Sequence, residues 1–195
     1  SSCGRPGATC TLSRSLPLPF PDAGILVPVT DATHPEIILT QRSQHMKTHG
    51  GQVAFPGGKK DKTDSSLLDT ALREAQEEIG LVPEHVQVIG QLNQVVSRFG
   101  IRVTPFVGLV SAHERYTPDP VELDSVFSVP VEFFLEDRRE RTDKLSFLGF
   151  SLYVPCYRWD RYEIWGLSAN VLVDFLNVAY DAGISLTEPP KGVCS

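Results

Sequence analysis

The chain has 195 residues, 41% hydrophobic and 22% charged, which fits one globular domain and excludes a disordered or fibrous chain. A net charge of -6 disfavours a nucleic acid polymer, whose binding depends on neutralising many phosphates, yet leaves room for a small anion held by a few local cations. The first apolar run, Ala23 to Val27, is far short of the roughly 20 residues that cross a bilayer, so no membrane partner is expected.

Residues 1–22 are rich in Ser, Gly and Pro and read as an irregular lead-in. Residues 23–30 and 36–41 are strand-like runs separated by the turn-prone Asp31 to Pro35. Residues 52–55 form a short strand that Pro56-Gly57-Gly58 stops. A helix follows over 65–79, closed by Gly80. Further strands are expected at 86–96, 101–110, 126–134 and 147–154. Leu172, Phe175, Leu176 and Ala179 then recur at helical spacing within a last helix over 168–182. Strands with one inserted and one terminal helix predict an α/β (α+β) fold, a mixed sheet between helices. The domain is expected to span 23–183, with 184–195 as a tail.

The four cysteines, Cys3, Cys10, Cys156 and Cys194, make no C-x-x-C pair, which argues against zinc and a disulfide framework. The sequence opens without methionine and shows no signal-peptide pattern at its start. Its last residues, Val193-Cys194-Ser195, are not a Ser-Lys-Leu type address, so a cytoplasmic location is the expectation.

The informative stretch is Arg73-Glu74-Ala75-Gln76-Glu77-Glu78-Ile79-Gly80-Leu81. On a helix, Leu68, Ala71, Leu72, Ala75 and Ile79 share one arc, the expected buried stripe. Glu74, Glu77 and Glu78 share the adjoining arc, with Glu74 and Glu78 one turn apart and Arg73 placed to pair with Glu77. Three carboxylates near a helix C-terminus repel one another and oppose the macrodipole. A bound hard cation such as Mg²⁺ or Mn²⁺ removes that conflict; a solvated acidic face with Arg73 as counterion is the plainer alternative. The loop Phe55-Pro56-Gly57-Gly58 favours the first reading, because its glycines permit positive φ and close approach of a ligand to the backbone.

These residues resemble the Nudix signature, G-x5-E-x7-R-E-U-x-E-E-x-G-U with U apolar. The back half matches as Arg73 to Leu81. In the front half, eight residues rather than seven separate Asp64 from Arg73. An upstream pattern is similar to the coenzyme A diphosphatase branch of that family: Leu39-Thr40-Gln41-Arg42-Ser43, then Lys47, Gly51 and Phe55-Pro56-Gly57-Gly58, with Lys47 where the branch usually has arginine. Thr104-Pro105-Phe106-Val107-Gly108, Glu122 before Val126-Phe127-Ser128-Val129-Pro130, and Ile164-Trp165-Gly166-Leu167-Ser168-Ala169 also have counterparts there.

The resemblance implies a Nudix fold, an α/β/α sandwich, and Mg²⁺- or Mn²⁺-dependent hydrolysis of coenzyme A to 4′-phosphopantetheine and adenosine 3′,5′-bisphosphate. Glu74, Glu77 and Glu78 are then the catalytic acids and metal ligands, joined by a main-chain oxygen of Gly58, and Arg73 orients Glu77. Glu78 is expected to face solvent. Arg42, Lys47 and His49 are the candidates for holding substrate phosphates; the plainer alternative is surface ion pairs for the first two and an ordinary polar loop position for His49. Glu74, Glu77 and Glu122 are candidates for the general base, Glu122 being expected more as a surface residue. Trp165 is expected in the core. A homodimer is common for such a fold. Rival readings are another substrate (ADP-ribose, a dinucleotide such as NADH, a nucleoside triphosphate), a nucleotide-binding domain without chemistry, and a purely structural interaction module.

Overall fold

The computed structural model describes residues 20–147 and 149–190. In chain order the elements are β1 (Asp22–Asp31), β2 (Glu36–Arg42), β3 (Val53–Ala54), β4 (Gly57–Lys59), α1 (Leu67–Ile79), β5 (Gln87–Gln91), β6 (Val95–Val96), β7 (Arg102–Ser111), β8 (Leu123–Pro130), α2 (Val131–Leu135), β9 (Arg139–Phe147), β10 (Phe150–Trp159), β11 (Tyr162–Ile164) and α3 (Leu167–Tyr180).

One mixed sheet runs β3-β2-β1-β7-β5, with β4 paired to β1, β6 to β7 and β8 to β2. β1 and β7 are parallel over their whole length, from Asp22↔Arg102 to Asp31↔Ser111. The other pairings in this sheet are antiparallel. A separate antiparallel sheet orders β11-β10-β9. Alternate residues of the central strands serve two cores. Leu26, Phe106 and Val110 pack on Ala71, Ala75 and Ile79 of α1. Val27, Val29 and Val107 pack on the opposite face with Val171, Leu172, Phe175 and Leu176 of α3 and Tyr157 of the second sheet. The result is a sheet sandwiched between helices, as expected.

Several elements differ from the sequence reading. α1 starts two residues late, because Ser66 is its N-cap and accepts a hydrogen bond from the Asp69 N–H at 3.1 Å. Gly57 and Gly58 do not form a positive-φ turn; they lie in β4, opposite Ile25 and Gly24. The run at 86–96 breaks into β5 and β6 where the Asn93 backbone and side chain both bond to Asp174 of α3. The apolar run at 126–134 is a strand only to Pro130. Val131 and Phe134 beyond it are buried three residues apart, which is helical spacing, and form α2.

The strand expected at 147–154 is two strands of a hairpin. β9 carries Arg139, Glu140, Arg141 and Asp143 and has no apolar alternation to reveal it. Its backbone pairs antiparallel with β10, and its side chains form ion pairs in place of an apolar stripe, with Arg141 bonded to Glu163 and Arg158 to Glu140. Ile184 and Leu186 lie beyond the expected boundary at 183, yet Ile184 packs on the core and the Leu186 carbonyl accepts from the Tyr153 N–H. Most of the lead-in 1–22, with Cys3 and Cys10, lies outside the described residues, as does Cys194 of the tail.

Candidate active site

Gly24 lets the first turn of α1 rest directly on β1, for a Cβ there would lie 2.2 Å from the Leu67 carbonyl oxygen. This close seat brings the acidic edge of the helix against β4. The Gly57 N–H donates to Glu78 Oε2 at 3.2 Å. Gly58 packs on Glu74 so tightly that a Cβ would fall 2.6 Å from Glu74 Oε1. The glycine pair therefore serves close approach to two carboxylates, not a turn.

Glu78 is only 5% exposed, which corrects the expectation of a solvent-facing side chain. Its carboxylate lies against the main chain of β4, and a strap from the connection between β7 and β8 crosses the end of the helix. Thr117 and Asp119 donate their N–H groups to the carbonyls of Ile79 and Glu78, both at 2.8 Å, and cover the last turn of α1. Burial lifts the Glu78 carboxyl to about 8; the Gly57 N–H and the Arg42 charge work against this, and the neighbouring charges of Glu74 and Glu122 work with it. Glu74 is raised as well, by burial first and then by Glu77 and Glu122, with Arg73 opposing. Glu77 is exposed.

Arg73 is less a partner of Glu77 than a hub. Its Nε and Nη2 hold both oxygens of Asp64 at 2.8 and 2.9 Å, and its Nη1 reaches Glu74 and Glu77, each at 3.2 Å. Asp64 is buried and also accepts from the Asp61 N–H and the Thr70 hydroxyl. The Arg73 guanidinium holds its carboxyl well below the usual carboxylate range. Asp64 is thus a member of this cluster that the sequence reading noted but did not select as a site residue. Its signal was present as the acid one position out of register before Arg73.

Glu122 is half-buried and hydrogen-bonded through its carbonyl to the Ser43 N–H at 2.8 Å. Its side chain has no hydrogen-bond or ion-pair partner among the described residues, and its charge is felt at both Glu74 and Glu78. It is half-buried rather than on the open surface. Arg42 is half-buried beside this group, its Nε without a partner among the described residues. Neither Arg42 nor Lys47 forms an ion pair among them. Lys47 and His49 are exposed, and His49 shares a hydrogen bond with Gln52 Oε1 at 3.1 Å. Trp165, expected in the core, is partly buried, and its buried indole N–H lacks a partner among the described residues.

The acid group is all oxygen, and Arg73 pairs with Asp64 and Glu74 while Glu78 has no ion-pair partner among the described residues. That chemistry suits a hard divalent cation. As placed, the three helix carboxylates do not close one tight cage. Among the described residues, the trio whose potential ligand atoms lie within 4.8 Å is Glu140, Cys156 and Glu163, on the second sheet. Arg141 and Arg158 already neutralise its two acids, and burial pushes the Cys156 thiol up to about 11.

Comparison with known proteins agrees with this geometry. The NUDIX domain family matches residues 20–147. The chain is 41% identical over 150 residues to proteins called uncharacterized Nudix hydrolase NudL from Salmonella paratyphi B and Salmonella newport, covering 77% of this chain and 78% of each relative. A MutT/nudix family protein from Enterococcus faecalis superposes with a TM-score of 0.54 at 17% identity, over 83% of this chain and 62% of that one. An Ap4A hydrolase from C. elegans superposes with a TM-score of 0.50 at 18% identity, over 58% and 83%. These two structural likenesses speak to the fold alone. The chain belongs to the Nudix family of hydrolases, enzymes that generally use divalent metal ions such as Mg²⁺ or Mn²⁺. No helix among the described residues is long and apolar enough to cross a membrane.

Proposed function

We propose that this protein hydrolyses the diphosphate of coenzyme A to 4′-phosphopantetheine and adenosine 3′,5′-bisphosphate, using Mg²⁺ or Mn²⁺. The observation that carries the diphosphatase reading is the buried Glu78 one turn from Glu74 on α1, both packed against Gly57 and Gly58 of β4, a charge arrangement that asks for a cation. The upstream residues Arg42, Ser43, Lys47 and Gly51, spaced as in the coenzyme A branch, support the choice of substrate.

Glu74 and Glu78 are assigned as principal metal ligands, with Glu77 assisting and the Gly58 main-chain oxygen as a further ligand. Bound cations supply charge neutralisation at the phosphoryl oxygens and lower the pKa of water. Arg73, itself fixed by Asp64, holds Glu74 and Glu77 in place. Arg42 and Lys47 bind the substrate's phosphates. A water oxygen attacks one phosphorus, the bridging P–O bond breaks, and the leaving phosphate carries off the electron pair. Of the candidates for accepting the water's proton, Glu74 and Glu77 both accept from Arg73; Glu122 has no such partner, and we assign the role to it.

Purified protein incubated with coenzyme A, ADP-ribose, NADH and a nucleoside triphosphate, with and without Mg²⁺, tests this. Coenzyme A should show the highest kcat/KM, with the two named products and none in EDTA. Faster turnover of another substrate would reject the coenzyme A reading. Binding without product in any divalent metal would leave only a nucleotide-binding domain.

A further inference from the structure

The turn between β6 and β7 is built firmly for a surface segment. Gly100 donates its N–H to the Ser97 carbonyl at 2.9 Å, and Ser97 donates to Ile101 at 2.8 Å. The Ser97 hydroxyl accepts from the N–H groups of Phe99 and Ile101. Gly100 takes the left-handed φ of 73° that this tight reversal needs. Yet the residue at the tip, Phe99, leaves 58% of itself in water. An aromatic ring displayed on an ordered turn adds little to the core.

Phe99 has two polar companions. The Arg98 guanidinium lies over its ring at 4.8 Å, and the His49 ring meets it nearly perpendicularly at 4.9 Å. His49 sits in the left-handed region at φ 57°, uncommon for a residue with a side chain, and is tied to Gln52 through both its ring and its carbonyl. The Gln52 carbonyl in turn accepts from the Arg42 N–H, and the Gly51 N–H donates to the Arg42 carbonyl; the charge of Arg42 reaches Glu78. The strand register agrees: Lys59, Ala23, Val103 and Val95 lie side by side across β4, β1, β7 and β6. The turn carrying Phe99 therefore lies at the same end of the sheet as Gly58, which packs on Glu74.

We propose that Phe99, flanked by Arg98 and His49, is the platform on which the substrate's nucleobase stacks. The inference rests on the reading above that the substrate is a nucleotide diphosphate. A flat base complements an exposed ring, and its phosphates complement Arg98 and Lys47 on a chain whose net charge is -6. Every base has a π-face, so this platform recognises nucleobases as a class and leaves choice among them to other contacts.

The test combines Phe99→Ala with Phe99→Trp. Phe99→Ala should raise KM for coenzyme A about tenfold, in the range of a lost base–aromatic stack, with a much smaller effect on kcat. Phe99→Trp should restore it. A ribose diphosphate ester of the same alcohol without a base should be handled alike by wild type and Phe99→Ala. In EDTA, the additional fluorescence of Phe99→Trp should be quenched by adenosine 3′,5′-bisphosphate. An unchanged KM in Phe99→Ala, or no quenching in Phe99→Trp, overturns the platform. If wild type ignores coenzyme A while quenching persists, the substrate reading fails and the platform stands.

Discussion

At the scale of single residues, Glu78 bears two opposed demands. To serve as the metal ligand proposed for it, its carboxylate must be charged, but burial favours the neutral form. Glu78→Gln removes the charge and keeps the shape, so kcat should fall by roughly 10² to 10³ at saturating Mg²⁺, the size expected for losing one strong electrostatic contribution. Circular dichroism should show the fold retained. Near-normal turnover would reject Glu78 as a ligand. Arg73 shows the limit of reading charges by spacing. The i,i+4 rule pointed to Glu77, and that contact exists at 3.2 Å. The shorter, two-pronged grip on Asp64 comes from outside the helix, where spacing along the helix says nothing.

At the scale of elements, β4 and α1 meet through two glycines with different duties. A Cβ on Gly57 would press on Ile25 and on the Gly24 carbonyl, at 2.5 and 2.6 Å, so main chain would have to move. A Cβ on Gly58 would meet the end of the Glu74 side chain. Gly57→Ala should therefore lower the thermal midpoint more than Gly58→Ala. Gly58→Ala should weaken Mn²⁺ binding, measured by calorimetry, while staying close to wild-type stability. The reverse order would contradict this division. α1 was legible because its apolar stripe, cap and acidic edge agree, and Gly80 ends it in the left-handed conformation at φ 70°. The loop before it was misread because glycine pairs mark turns and close contacts alike, and only the partner strand decides. β9 was illegible for a different reason: cross-strand ion pairs take the place of an apolar stripe, and such pairs leave no period in the sequence.

At the scale of the whole molecule, the site proposed above should make stability depend on pH and metal together. The Glu78 carboxyl rises from 4.5 to about 8 on folding, so the protonated form is the one the fold prefers. Its stabilising contribution is complete below pH 4.5 and is lost as pH climbs through about 8. In EDTA, the wild-type thermal midpoint should fall relative to Glu78→Gln between pH 5 and pH 8, by about 3 kcal/mol or roughly 6 to 12 °C. Mg²⁺ should narrow that gap, and its apparent affinity should strengthen as pH rises, because cation and proton compete for one carboxylate. Parallel midpoints across this range would mean that Glu78 carries no buried charge. The sandwich of sheet and helices was legible from element order and apolar pattern. The neighbourhood of Glu122 was not, since a carboxylate's depth depends on segments distant in sequence. Surface connections usually tolerate insertions and deletions. The one joining β7 to β8 lacks that liberty, because Thr117 and Asp119 grip the backbone of Ile79 and Glu78. A residue gained or lost there should shift Glu78, the acid proposed as a metal ligand, so turnover is expected to depend on the length of this stretch although nothing in it needs to touch substrate.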